Sequence, residues 1–121
     1  MQLKSGVDLI EIARNEEVIA RHGDQFLKRV YTAGELAYCG KNSASLAARF
    51  AAKEAVSKAL GCGIGDVGWQ EIEVVGDENK APKLILHGAA EKMARDQRLN
   101  TWSITLSHTH EHAIAFVIAA G

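Results

Sequence analysis

Residues 45–60, SLAARFAAKEAVSKAL, decide the fold class of this 121-residue chain. Six of the fifteen residues from Leu46 to Leu60 are alanine, the strongest helix former, and Ser45 stands where a helix N-cap is favoured. Gly61 and Gly63 follow, where glycine ends a helix. The stretch predicts a helix over Leu46–Leu60 capped by Ser45. Projected at about 100° per residue, Leu46, Phe50, Val56 and Leu60 fall on one side, whereas Glu54 and Lys58 share a stripe with Ala47, Ala51 and Ala55. That stripe has two readings. It is a solvent-exposed Glu54–Lys58 pair at i,i+4 that stabilises the helix by roughly 0.2–0.5 kcal/mol. Alternatively it is a ligand-facing surface, on which alanines admit a large group to the backbone, Glu54 holds a cation and Lys58 meets an anion one turn further on.

Upstream of this helix, Thr32 and Glu35 have capping-box spacing and predict a helix that follows Thr32. A short helix is expected from Asp24, and another over Ile12–Arg21 that stops at His22-Gly23. Leu3, Val7 and Leu9 alternate with Lys4, Gly6 and Asp8 as an opening strand, with breaks at Ser5 and Ile10. Downstream, Gln70–Val75 and Pro82–Leu86 flank a turn at Gly76-Asp77-Glu78-Asn79 and read as a hairpin. A short helix over Ala89–Arg98 comes next. Thr101–Thr109 then places Trp102, Ile104, Leu106 and His108 on one face, and Ala113–Ala119 returns beside it after a turn at His110-Glu111. This order predicts an α+β fold with an antiparallel sheet and packed helices, one domain over residues 1–121.

Composition excludes several classes. Fourteen Lys and Arg against fifteen Asp and Glu leave a net charge of −1, without the basic footprint of a general nucleic-acid binder. With 47% hydrophobic and 24% charged residues the chain has the balance of a folded domain rather than a disordered one. Cys39 and Cys62 are too few and wrongly spaced for a disulfide framework or a structural zinc site, and a reducing compartment is expected. The longest apolar-rich run, Ala113–Ala120, is too short to span a membrane, and the N-terminus lacks a signal-peptide pattern, so the expected location is cytoplasmic. Neither a P-loop nor a dinucleotide fingerprint is present, and Ser107-His108 lacks the elbow of a serine hydrolase.

Two further groups carry possible chemistry. Asp8 either caps the helix that follows its strand or converges with Glu54 on one Mg²⁺, an ion that takes few carboxylates and leaves positions for water and phosphate. His108, His110 and His112 alternate, a spacing that suits a transition-metal site, or else one of them meets a phosphate while the others face solvent. A turn within the set argues against a shared face.

Taken in order, Gly6-Val7-Asp8, then Phe26-Leu27-Lys28-Arg29 with Thr32 and Glu35, then Arg49-Phe50-Ala51-Ala52-Lys53-Glu54-Ala55 with Lys58, and lastly Ser103-Ile104-Thr105-Leu106-Ser107-His108, resemble holo-acyl-carrier-protein synthases. These are the small bacterial class of 4'-phosphopantetheinyl transferases, and the likeness runs from about Gly6 to Ala119. The resemblance implies transfer of the phosphopantetheine arm of coenzyme A to a serine of apo acyl carrier protein, with release of adenosine 3',5'-bisphosphate. It implies Mg²⁺ ligands at Asp8 and Glu54, a catalytic and phosphate-contacting role for Lys58, coenzyme A contacts at Arg49 and His108, and carrier docking at Arg14. It also implies a homotrimer with active sites between subunits, which the apolar closing strand would help to form. The serine proton goes to Glu54 or to water on the metal. Many relatives carry Asn-Gly-Lys-Pro where this chain has Asn79-Lys80-Ala81-Pro82, which bears on nucleotide contacts. The competing readings are a noncatalytic module that docks carrier protein, and a transition-metal protein using the late histidines.

Overall fold

The computed structural model describes residues 1–76 and 81–121. Its longest helix, here α4, spans Ser43–Leu60 and begins earlier than the alanine-rich run suggests. The cap is Asn42, whose Oδ1 accepts the Ser45 N–H at 2.9 Å, so Ser45 lies inside the first turn. An Asn oxygen makes the kind of capping bond expected of Ser45, from the position immediately before the helix that it starts. At the other end Gly61 takes the left-handed conformation (φ 76°, ψ 25°), and its N–H and that of Cys62 return to the carbonyls of Lys58 and Ser57.

Strands β1 (Leu3–Glu11), β4 (Thr101–His108) and β5 (His112–Ala120) form an antiparallel sheet in the order β1-β5-β4. Asp8 lies opposite Ala115 and His108 opposite Ala113. Helix α4 crosses one face of this sheet. Its approach is set by Gly6, where a Cβ atom would stand 1.9 Å from the Ala55 carbonyl oxygen. Ala47, Ala51 and Ala55 are wholly buried in that seam, against Ala113, Ala115, Val117 and Ala119 of β5. The alanine stripe is therefore covered by the sheet and does not face a ligand, because small residues on both elements let helix and strand close to backbone contact. The other face of the sheet is open. Leu3, Val7, Leu9, Ile114, Phe116 and Ile118 stand on it, each at least 37% exposed.

Helices α1 (Ile12–His22), α2 (Asp24–Val30) and α3 (Ala33–Cys39) follow β1 in close succession. The capping box forms as expected: Thr32 Oγ1 accepts the Glu35 N–H at 3.1 Å and Glu35 Oε1 accepts the Thr32 N–H at 2.9 Å. The same Glu35 side chain turns inward to a buried ion pair with Lys53 of α4 at 2.8 Å. Lys53 also donates to the carbonyls of Trp69 (3.0 Å) and Ile72 (2.5 Å), and Glu35 Oε2 accepts the Val74 N–H at 2.8 Å. These bonds tie α4 to a hairpin of β2 (Ile72–Gly76) and β3 (Pro82–Leu86), which pairs Ile72 with Leu86 and Gly76 with Pro82. The strand expected from Gln70 starts at Ile72, because Trp69–Glu71 forms a 3-10 turn in which the Glu71 carboxylate accepts the Gly68 and Ala89 N–H groups. Of the expected turn, and of the Asn79-Lys80-Ala81-Pro82 segment, residues 77–80 lie outside the described residues. Helix α5 (Gly88–Asp96) completes the described elements.

Candidate active site

Because β1 runs directly into α1 beside α4, residues far apart in sequence share one cavity of about 470 Å³. Its lining includes Asp8 and Glu11 of β1, Arg14 and Asn15 of α1, Glu54 of α4 and His112 of β5. Lys58 donates to Asp8 Oδ1 at 3.0 Å and to the Val7 carbonyl at 2.9 Å. Lys58 thus reaches across to the strand and does not pair with Glu54. Nor does Asp8 cap a helix: α1 has Glu11 at its N-cap with no side-chain cap bond.

Asp8 and Glu54 are coupled electrostatically. Burial pushes the Glu54 carboxyl above its ordinary value, the Asp8 carboxylate pushes it further, and Lys58 acts in the opposite direction. Among the described residues the Glu54 carboxylate accepts no hydrogen bond. Two neighbouring carboxylates against one lysine leave a local excess of negative charge, and their oxygens suit a hard divalent cation. The donor set therefore fits Mg²⁺, with Asp8 and Glu54 as the residues that would hold it. Arg14 is exposed and lines the same cavity.

The apolar wall escaped the sequence reading. Phe26 and Phe50 both line the cavity and stack at 6.2 Å between centroids, and Phe50 stacks on Trp69 at 4.9 Å. Helical projection groups Phe50 with Leu46, Val56 and Leu60, which are buried. Its incomplete burial marks it as a wall residue, which no local pattern announces.

Arg49 lies elsewhere on α4. It is 4% exposed, its Nε has no hydrogen-bond partner among the described residues, and its guanidinium carbon stands 4.5 Å from the centroid of the Tyr38 ring. His108 is exposed at the end of β4 and is not part of the cavity lining, whereas His112 is. Among the described residues no three His, Cys, Asp or Glu side chains gather as a metal site. The three-histidine metal reading is thereby lost. The three straddle the bend between β4 and β5, with His108 in register with Ala113 and His112 in register with Glu11 of β1.

A family model described as the 4'-phosphopantetheinyl transferase superfamily matches residues 4–117. The chain is 46% identical over 126 aligned positions to a holo-acyl-carrier-protein synthase of Herpetosiphon aurantiacus, covering 98% of this chain and 99% of that one. The crystal structure of Helicobacter pylori holo-acyl-carrier-protein synthase in complex with coenzyme A is similar at 32% identity and a TM-score of 0.88, over 96% of this chain and 99% of the other. That of the Neisseria meningitidis synthase superposes with a TM-score of 0.89 at 32% identity, over 98% of both chains.

Proposed function

The chain belongs to the 4'-phosphopantetheinyl transferase superfamily, and from that premise we propose that it is a Mg²⁺-dependent enzyme that transfers the phosphopantetheine arm of coenzyme A to a serine of apo acyl carrier protein. The serine oxygen bonds to the phosphorus that carries pantetheine, the pyrophosphate P–O bond breaks, and adenosine 3',5'-bisphosphate leaves. The observation that carries this reading is the meeting of Asp8, Glu54 and Lys58, which come from positions up to fifty residues apart. Mg²⁺ held by Asp8 and Glu54 would neutralise charge on the phosphate oxygens. Lys58 brings a cation to the same place: it is half exposed and, among the described residues, bonded to Asp8 and the Val7 carbonyl alone, so an arriving phosphate can draw it away. The serine must lose its proton as it attacks, and Glu54 is the carboxylate made more basic by its burial.

Arg14, exposed at the cavity, suits an acidic carrier protein presenting its serine there. His108 and Arg49 are coenzyme A contacts in the same proposal. Neither lies in the cavity of its own chain, which supports a homotrimer whose sites are completed between copies. The open apolar sheet face supplies a surface for that assembly. No helix among the described residues is long and apolar enough to cross a membrane, and both cysteines are free. A cytoplasmic location belongs to the proposal.

Mass spectrometry of apo acyl carrier protein incubated with this protein, coenzyme A and Mg²⁺ tests it. The expected result is a mass gain of one phosphopantetheine, lost when Mg²⁺ is chelated and largely lost in Asp8→Ala and Glu54→Ala. An unmodified carrier after long incubation with wild-type protein refutes the transfer, and full activity in either variant refutes the shared ion.

A further inference from the structure

Arg49 is a cation that the fold buries and that has no counterion among the described residues. It is 4% exposed, and among the described residues its Nε has no hydrogen-bond partner. Among the described residues, the ion pairs join other groups and none includes Arg49. Glu35, the buried carboxylate nearby, is already occupied by Lys53 and by the Thr32 and Val74 N–H groups. An uncompensated buried charge is costly, and an anion arriving from outside removes that cost.

What holds Arg49 is Tyr38, on the last turn of α3. The guanidinium carbon lies 4.5 Å from the ring centroid, within cation–π range. A contact with the π face of a ring uses no acceptor oxygen, and among the described residues the Arg49 N–H groups make no hydrogen bond, so the fork is available to a further acceptor. The Tyr38 ring is itself seated against Gly76, where a Cβ would come within 2.8 Å of Cε2 and 3.2 Å of Cζ. The absent side chain at Gly76 thus makes room for the ring. Tyr38 remains 52% exposed, so burial of its own apolar surface accounts for little of its placement.

We propose that Tyr38 is a positioning residue for substrate binding, one that holds the Arg49 guanidinium so that its N–H fork meets a phosphate of coenzyme A. This rests on the assignment of coenzyme A as substrate. The phosphate is either the 3'-phosphate or the pyrophosphate. Dephospho-coenzyme A, which lacks only the former, separates the two.

Isothermal titration of coenzyme A into wild-type, Tyr38→Phe, Tyr38→Leu, Arg49→Gln and the Tyr38→Leu/Arg49→Gln double variant is the test, with circular dichroism to verify folding. Tyr38→Leu keeps bulk but loses the ring quadrupole, and its Kd is expected to rise roughly 3- to 30-fold. Tyr38→Phe should bind like wild-type, since the ring face is kept. In the Arg49→Gln background the Tyr38→Leu change should have no further effect, whereas Tyr38→Leu alone should raise KM for coenzyme A in turnover assays while leaving kcat nearly unchanged. If the Tyr38→Leu loss vanishes with dephospho-coenzyme A, Arg49 meets the 3'-phosphate; if it persists, Arg49 meets the pyrophosphate. Unchanged affinity in a folded Tyr38→Leu variant, or an equal loss with and without Arg49, overturns the proposal. Failure of wild-type protein to bind coenzyme A overturns instead the substrate assignment beneath it.

Discussion

Replacing Lys53 by Met measures how strongly α4 is fixed to the rest of the fold. Both Lys53 and Glu35 have fully buried side chains, and the ammonium makes three bonds, to Glu35 and to the carbonyls of Trp69 and Ile72. Lys53→Met strands a buried carboxylate and two carbonyls, and breaking such a pair from one side costs about 3–5 kcal/mol. For 121 residues the unfolding entropy is roughly 0.25 kcal/mol per kelvin, so each kcal/mol moves Tm by about 4 °C. The expected loss is therefore about 12–20 °C in a thermal melt followed by circular dichroism. Glu35→Leu/Lys53→Met removes both charges together, and it should cost less than the sum of the single changes, because each single variant carries an unpaired buried group that the double variant lacks. A Tm within about 4 °C of wild-type for Lys53→Met, or strict additivity in the double variant, refutes the reasoning.

Glu73 accepts from the Thr32 hydroxyl at 2.7 Å and from His87 at 3.0 Å, bonds that hold its carboxyl below the ordinary range. A depressed folded pKa gives stability that is full above the unfolded value near about 4.3 and is lost as pH falls through the folded one, so Glu73→Gln should flatten the decline of Tm between pH 5 and 3. Phe116→Asp, in the middle of the open sheet face, should convert a species of about three chain masses into a monomer in sedimentation. A wild-type monomer would contradict assembly through that face. Gly6→Ala forces a Cβ to within 1.9 Å of the Ala55 carbonyl oxygen and should lower Tm by about 4–12 °C or more, which a melting curve checks.

What could be read in the sequence followed from how local the cause is. The Thr32–Glu35 box and the Gly61 stop are settled within four residues, and both appear as expected. Asp8 and Glu54 were legible as a pair through family resemblance, but the Asp8–Lys58 bond joins residues fifty apart and no local spacing encodes it. The alanine stripe shows the limit most clearly. Periodicity places Ala47, Ala51 and Ala55 on one face, yet that face suits a strand as well as it suits a ligand, and the deciding residue is Gly6. His108, His110 and His112 share parity, which implies one face only while the strand continues. The bend between β4 and β5 ends that continuity, and only His112 reaches the cavity.

The charges of α4 carry a further consequence for assembly. Lys53 is matched by Glu35 and Lys58 by Asp8, which leaves Glu54 without a hydrogen-bond donor and Arg49 without a counterion among the described residues. One open charge suits a cation and the other an anion, as the proposed metal-assisted transfer from the coenzyme A pyrophosphate would need. The two are five positions apart on the helix, about 7.5 Å along the axis and about 140° around it. A ligand that approaches Glu54 through the cavity therefore lies on a different side of α4 from Arg49 of the same chain. In the proposed homotrimer, the Arg49 that meets a ligand bound at Glu54 would come from a second copy. This divergence supports a site shared between copies, independently of the apolar face that would hold the copies together.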